Sequence, residues 1–167
     1  MATAASHPEQ LTEVGARIAV GVVLLVAGVA KLCQPSWPAT ARAFGAPAWL
    51  VPVLPWGEVV LGALLVSGVG LPWTALVGAA LLAVFAVAVA IRVRRGDAVP
   101  CGCFGETSPV PVGADTVLRN LLLVVLAVMA AADRGQHDGL RSAVLGAAGG
   151  LIIVAESRLR TGLRRPG

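Results

Sequence analysis

Tyrosine is absent from this sequence, and aromatic residues of every kind make up only 4% of its 167 residues. Charge is scarce as well. Asp, Glu, Lys and Arg together reach 13%, where soluble domains carry about 25%. With 57% of its residues hydrophobic, the chain lacks the polar surface that a soluble fold of this length needs. Histidine occurs only as His7 and His137, which leaves no His–His pair across helices for haem. Three cysteines, Cys33, Cys101 and Cys103, are too few for a disulfide framework or an all-cysteine zinc site. Neither a cofactor nor a metal is expected. The net charge is +4, but the basic residues flank apolar stretches and form no long basic tract. They fit anchoring at a membrane surface, and nucleic acid is not an expected partner. Residues 1–13 carry Glu9 and Glu13 and show neither a basic start nor a cleavage site. They do not resemble a signal peptide, so the first apolar segment is expected to remain as a helix.

What the chain does contain is Ala, Val, Leu and Gly, with a mean hydropathy of +0.84. This composition suits helices that pack closely in lipid. Five apolar segments stand out, at about residues 14–32, 50–71, 73–91, 114–132 and 140–155. A spanning helix needs about 20 residues, with about 17 as the lower end. The third segment carries no charge at all. The fifth is the shortest and holds Gly146, Gly149 and Gly150. Proline and glycine punctuate the connections: Pro35, Pro38 and Pro47 after the first segment, and Gly70-Leu71-Pro72 between the second and third. Only residues 92–113 form a long loop. The expected fold is all-α: a polytopic transmembrane bundle of four to five helices in the lipid bilayer, one integral membrane domain over residues 1–167.

Five crossings put alternate loops on opposite sides. The side of the N-terminus, side A, receives Arg17, Arg134 and Arg141. Side B receives Lys31, Arg42, Arg92, Arg94, Arg95, Arg119, Arg158, Arg160, Arg164 and Arg165. The positive-inside rule then turns side B to the cytoplasm. If the fifth segment does not span, the last four arginines move to side A and the asymmetry disappears.

The stretch richest in chemistry is Cys101-Gly102-Cys103-Phe104-Gly105. Two thiols at this spacing can close a small strained ring, with Gly102 relieving the backbone, and strained exposed disulfides tend to be labile or catalytic. Arg92, Arg94 and Arg95 precede the pair and Arg119 follows it. Positive charge favours the reactive thiolate, and the start of the fourth helix, with Asp115 placed to cap it, adds its dipole. The opposing view is that both thiols are inert residues of a folded loop. A metal at the dyad is not expected, because His7 and His137 map to side A. Cys33 maps to side B, as does the loop, whichever way the protein is oriented. It is either a resolving thiol or a small apolar residue at a helix end.

Charges within the segments point to the same end. Lys31 closes the first segment, and Glu58 lies about 12 Å deep in the second at 1.5 Å per residue. Arg119 and Asn120 open the fourth. A charge at such depth is expensive, is usually paired, and faces the bundle or a water-filled cavity. Lys31 is the nearest partner for Glu58, with Arg119 competing for the same carboxylate. The outcome is a structural ion pair or a polar pocket beneath the thiol loop. The glycines of the first, second and fifth segments read as close-packing positions, and Trp37, Trp49, Trp56 and Trp73 as interfacial anchors.

At these residues the sequence resembles the MauE family of methylamine-utilisation membrane proteins, within the wider DoxX-like group. The likeness is carried by Arg17-x-x-x-Gly21, Gly28-x-x-Lys31-Leu32 with Pro35 soon after, and Glu58-x-x-x-Gly62. It is carried above all by the CGCFG loop, Pro111-Val112-Gly113 and then Arg119-Asn120. It covers about residues 14–132. The resemblance implies a redox-associated inner-membrane protein that acts with a thioredoxin-like partner. For MauE itself it implies a part in maturing a secreted, disulfide-rich client, a methylamine dehydrogenase subunit. Chemistry and resemblance together make Cys101 and Cys103 the redox pair, with Cys33 assisting and Lys31, Glu58, Arg119 and Asn120 shaping a pocket. A scaffold with a purely structural thiol loop is the alternative, and a small-molecule carrier built on Lys31 and Glu58 is a third reading.

Disulfide formation outside the cytoplasm suits an outward loop, whereas the charge count turns the loop inward. Alkylation in intact cells separates the two. On the charge count, Cys101 and Cys103 react with a membrane-permeant reagent and not with an impermeant one. Labelling from outside after reduction reverses the orientation.

Overall fold

The computed structural model describes residues 7–96 and 114–131, and every regular element among them is helical. In chain order these are α1 (His7–Leu32), α2 (Trp37–Ala43), α3 (Leu50–Ser67), α4 (Trp73–Arg95) and α5 (Ala114–Ala130). Among the described residues, three stretches are long and apolar enough to cross a membrane: Thr12–Leu32, Leu50–Ser67 and Trp73–Arg95. At 17 residues, α5 sits at the short end of the spanning range. The fifth apolar segment, 140–155, lies outside the described residues. The architecture is an all-α, multi-pass membrane bundle.

The termini of the helices follow from identifiable residues. Gly68 stops α3 by turning left-handed, with φ 75°, so the helix ends at Ser67 although the apolar segment continues to Leu71. Its N–H and that of Val69 return to the last carbonyls of the helix, a closure that a glycine adopts without strain. Gly96 ends α4 in the same way, with φ 68°. That helix extends past the apolar segment through Arg92, Arg94 and Arg95, whose charges complement the negative end of its dipole. The proline-broken stretch after α1 is not a simple linker, because α2 forms within it. Pro38 falls in its first turn, where a missing N–H breaks no intrahelical bond.

Two helix pairs make up the bundle. In the first, α1 and α3 are drawn together by glycine. A Cβ on Gly28 would lie 2.7 Å from the Pro55 carbonyl oxygen, and one on Gly62 would lie 2.7 Å from the Gly21 carbonyl oxygen. Backbones this close leave no room for any side chain, which is how membrane helices gain dispersion energy without a hydrophobic drive between them. In the second pair, α4 lies against α5. Between the pairs sits a small-residue core: Val20, Val23, Leu24 and Ala27 from α1, Leu61 and Leu65 from α3, Ala75, Ala79 and Leu82 from α4, and Leu123, Ala127 and Ala130 from α5. Although a short turn joins them, α3 and α4 touch little.

The outer surface is apolar. Val53, Trp56 and Val60 on α3, Val77, Val84 and Val87 on α4, and Leu118, Leu122, Val125 and Val128 on α5 are all exposed. In water this would be one large aggregation-prone patch; in a bilayer it is the face that meets acyl chains.

Close packing of α1 on α3 makes Gly62 sensitive to a single methyl group. Gly62→Ala is expected to destabilise the protein in detergent by about 1–3 kcal/mol, the usual range for overpacking. Gly57→Ala, where an added Cβ meets nothing within 4 Å, is expected to be neutral or slightly stabilising. Thermal unfolding of the two variants side by side checks the contrast.

Candidate functional site

The sequence places two prolines early in α3, and the second, Pro55, is buried inside the helix. Proline has no N–H, so the carbonyl four residues earlier, that of Val51, loses its helical partner. Inside a bilayer such an acceptor must be satisfied by protein. It is, by the indole of Trp37, whose Nε1–H donates to the Val51 oxygen at 2.9 Å. The bond draws the start of α2 onto α3 and fixes the plane of the indole.

The ring so placed covers the ammonium of Lys31, with Nζ 5.3 Å from the Trp37 centroid. Phe85 of α4 lies near the same ammonium at 5.4 Å. Nζ donates to both Glu58 oxygens, each at 2.7 Å. Lys31 is 4% exposed and Glu58 0% exposed. Four helices therefore converge on one ion pair: α1 supplies the cation, α3 the anion, and α2 and α4 an aromatic ring each. Burying either charge alone is prohibitive, whereas a close pair whose ammonium also lies against two π faces is tolerated.

Arg119 does not compete for Glu58. Among the described residues the carboxylate is bonded by Lys31 alone. The reason lies in packing: α5, which carries Arg119, lies mainly against α4 and α1. Asn120 is 4% exposed and continues the inward stripe Leu123, Ala127, Ala130 of α5 by one turn. Its Nδ2 has no hydrogen-bond partner among the described residues.

Cys33 is exposed, with a free thiol. It lies in the turn between α1 and α2, closed by bonds from Cys33 N to Val29 O and from Trp37 N to Gln34 O. The end of α4 reaches the same region. Arg92 donates to the Ala43 carbonyl at the end of α2 and lies 5.8 Å from the centre of the Phe44 ring. The helix end that leads into the thiol loop is thereby tied to the helix that follows Cys33. Cys101 and Cys103 themselves lie outside the described residues.

Two further residues behave differently from simple anchors. Arg17 is buried, and its Nη1 donates to the Leu65 carbonyl at 3.2 Å, serving the C-terminal end of α3. Trp37 is turned inward, whereas Trp49, Trp56 and Trp73 are exposed. Sequence reasoning missed Trp37 and Phe85 as partners of Lys31. The available signal was Pro55, which demands a donor for Val51.

Removal of one member of the pair strands the other. Lys31→Met and Glu58→Leu are each expected to destabilise the bundle by about 3–5 kcal/mol. The Lys31→Met/Glu58→Leu double variant is expected to regain most of that loss. Unfolding of the three variants in the same detergent forms the double-mutant cycle, and additive losses would deny the coupling.

Against known proteins, the family described as Methylamine utilisation protein MauE matches residues 9–133. A relative from Paracoccus denitrificans, named Methylamine utilization protein MauE, is 38% identical over 115 residues, which cover 64% of this chain and 61% of that protein. The chain thus spans less than two thirds of that relative's length. No solved structure matches the chain. With most of its length matched, including the helices that carry Lys31, Glu58 and Asn120, the chain belongs to the MauE family.

Proposed function

We propose that this protein is a thiol–disulfide exchange protein of the inner membrane. Cys101 and Cys103 cycle between dithiol and disulfide with a thioredoxin-like partner, in disulfide formation or maturation of a secreted client. The relative's name makes methylamine utilisation the candidate setting. The observation that carries the reading is the Cys101-Gly102-Cys103 dyad, held in the loop between α4 and α5 of an otherwise apolar membrane bundle. The exposed thiol of Cys33, at the end of the bundle where Arg92 ties α4 to α2, adds a third sulfur for the same chemistry.

In the oxidising direction for the dyad, the Cys101 thiolate attacks a sulfur of the partner's disulfide. A mixed disulfide forms and one partner thiolate leaves. The Cys103 thiolate then attacks the Cys101 sulfur, closing the intramolecular disulfide and releasing the second partner thiolate. Two electrons pass to the partner, and the two protons lost by the dyad are taken up by the partner's sulfurs. The reverse sequence transfers the disulfide outward. The strained ring favours this reversibility. In this scheme Lys31 and Glu58 hold α1, α2 and α3 in register beneath the thiols, and Arg119 and Asn120 line the start of α5.

Replacement of the second thiol freezes the exchange at its midpoint. Cys103→Ser, or Cys101→Ser, is expected to accumulate a mixed disulfide with a thioredoxin-like protein, visible as a reducible adduct on non-reducing gels and identified by mass spectrometry. A Cys101→Ser/Cys103→Ser double variant that forms no adduct and retains full function in cells would support the scaffold reading instead.

A further inference from the structure

The outward side of α4 is unusually regular. Its buried residues are Ala75, Gly78, Ala79, Leu82, Ala86 and Val89. Opposite them runs an exposed stripe, Trp73, Val77, Val84, Val87 and Ile91, at the three- and four-residue steps of one helical face. The next positions on that face are Arg94 and Arg95, both exposed. Arg92 belongs to the opposite stripe, one turn beyond Val89. It faces inward, is half-buried, and is used on α2 through the Ala43 carbonyl and the Phe44 ring. The terminal arginines of α4 are therefore sorted by the helix itself: Arg92 docks a neighbour, and the other two continue a surface that meets lipid chains.

The bond from Arg92 to Ala43 also places Arg42 at this end of the bundle, because Arg42 is the residue before Ala43 and is exposed. Arg42, Arg94 and Arg95 make no ion pair with any of the described residues. Glu58, the acidic residue of the neighbouring α3, is taken by Lys31. Three exposed guanidinium groups with no counter-charge among the described residues thus lie at the end of an apolar membrane face.

We propose that this rim binds an anionic phospholipid. Its phosphodiester is held by Arg42, Arg94 and Arg95, and an acyl chain lies along Ile91, Val87 and Val84. The guanidinium fork matches phosphate oxygens in geometry as well as charge. Basic residues beside a spanning segment attract anionic lipid. An acidic protein surface would satisfy the charges, but it would not meet the apolar stripe that ends at them. A lipid has both parts in the required order, charge above and hydrocarbon below. The proposal is independent of the thiol chemistry.

The test uses the full chain purified in a neutral detergent, to which phosphatidylglycerol or phosphatidylcholine is added back. Bound lipid is counted by native mass spectrometry, and thermal unfolding is followed in parallel. The unaltered protein is expected to retain phosphatidylglycerol in preference to phosphatidylcholine and to be stabilised by it. An Arg42→Gln/Arg94→Gln/Arg95→Gln variant keeps Arg92 and its docking bond. It is expected to lose the preference, with affinity falling about fivefold for each arginine removed. Should the triple variant fail to fold, Arg95→Gln alone and a salt titration of the unaltered protein carry the same expectation, a weaker hold on phosphatidylglycerol in both. Equal retention of the two lipids by the unaltered protein would overturn the proposal. So would an undiminished preference in the arginine variants, or a preference insensitive to salt.

Discussion

An ammonium and a carboxylate sealed from water inside an apolar bundle dominate its organisation, because neither tolerates the site without the other. The pairing of Lys31 with Glu58 does more than cancel charge. The ammonium gives two hydrogen bonds to one carboxylate and lies near two aromatic rings, so each of the first four helices contributes a group. A chain of dependence leads into it. Pro55 deprives Val51 of its helical donor, Trp37 supplies that donor, and the indole so held becomes one of the rings near Lys31. The proline in α3 therefore fixes the position of α2, the helix just before it in the chain and too short to be stable alone. The exposed thiol of Cys33 sits between Lys31 and Trp37 and inherits its position from both.

Glycine sets the other constraint. The contact of α1 with α3 at Gly21, Gly28 and Gly62 is a backbone contact, which has little room to slide without a clash. Polar bonds hold it at both ends: Arg17 bonds the Leu65 carbonyl at one, and Lys31 bonds Glu58 at the other. Among the described helices this pair makes the most extensive contact. The α4–α5 pair meets it mainly through α1, while α3 and α4 diverge after their short turn. Phe85 reaches from α4 to the Lys31 ammonium across that divergence. A closely packed pair bearing Cys33 and a second pair bracketing Cys101 and Cys103 in the chain is the arrangement on which thiol exchange between them would act.

Much of this was legible in the sequence, and the limits of legibility have physical causes. Four long apolar segments declare themselves through length and composition, because a bilayer admits few alternatives. Lys31 and Glu58 stand out as opposite charges at compatible depth. What could not be read is which helices touch. Arg119 lies at a suitable depth to reach Glu58, yet α5 packs on the wrong neighbours for it. Trp37 fits the rule for interfacial indoles, and that rule is blind to a carbonyl left empty by a proline in another segment. The short α2 was hidden because prolines read as breaks, although one in a first turn costs nothing. The dyad at Cys101 and Cys103 was legible as chemistry only: the residues and their spacing state what the sulfurs can do, and not where they sit.

Counting positive charges treats every arginine and lysine as an anchor, and the structure shows why that count is coarse. Arg17 and Lys31 are buried and used in bonds within the bundle. Arg92 is used to dock α2. None of the three is free to report on the charge of a membrane surface. What remains exposed among the described arginines is Arg42, Arg94 and Arg95, all at the end where α1 and α4 finish. The asymmetry within the described residues is therefore sharper than the raw count, because the cation that opposed it, Arg17, is bonded inside the bundle. Among the described residues, the charge asymmetry and the proposed lipid site draw on the same three side chains, and the helical phase of α4 decides which of its arginines are available for either.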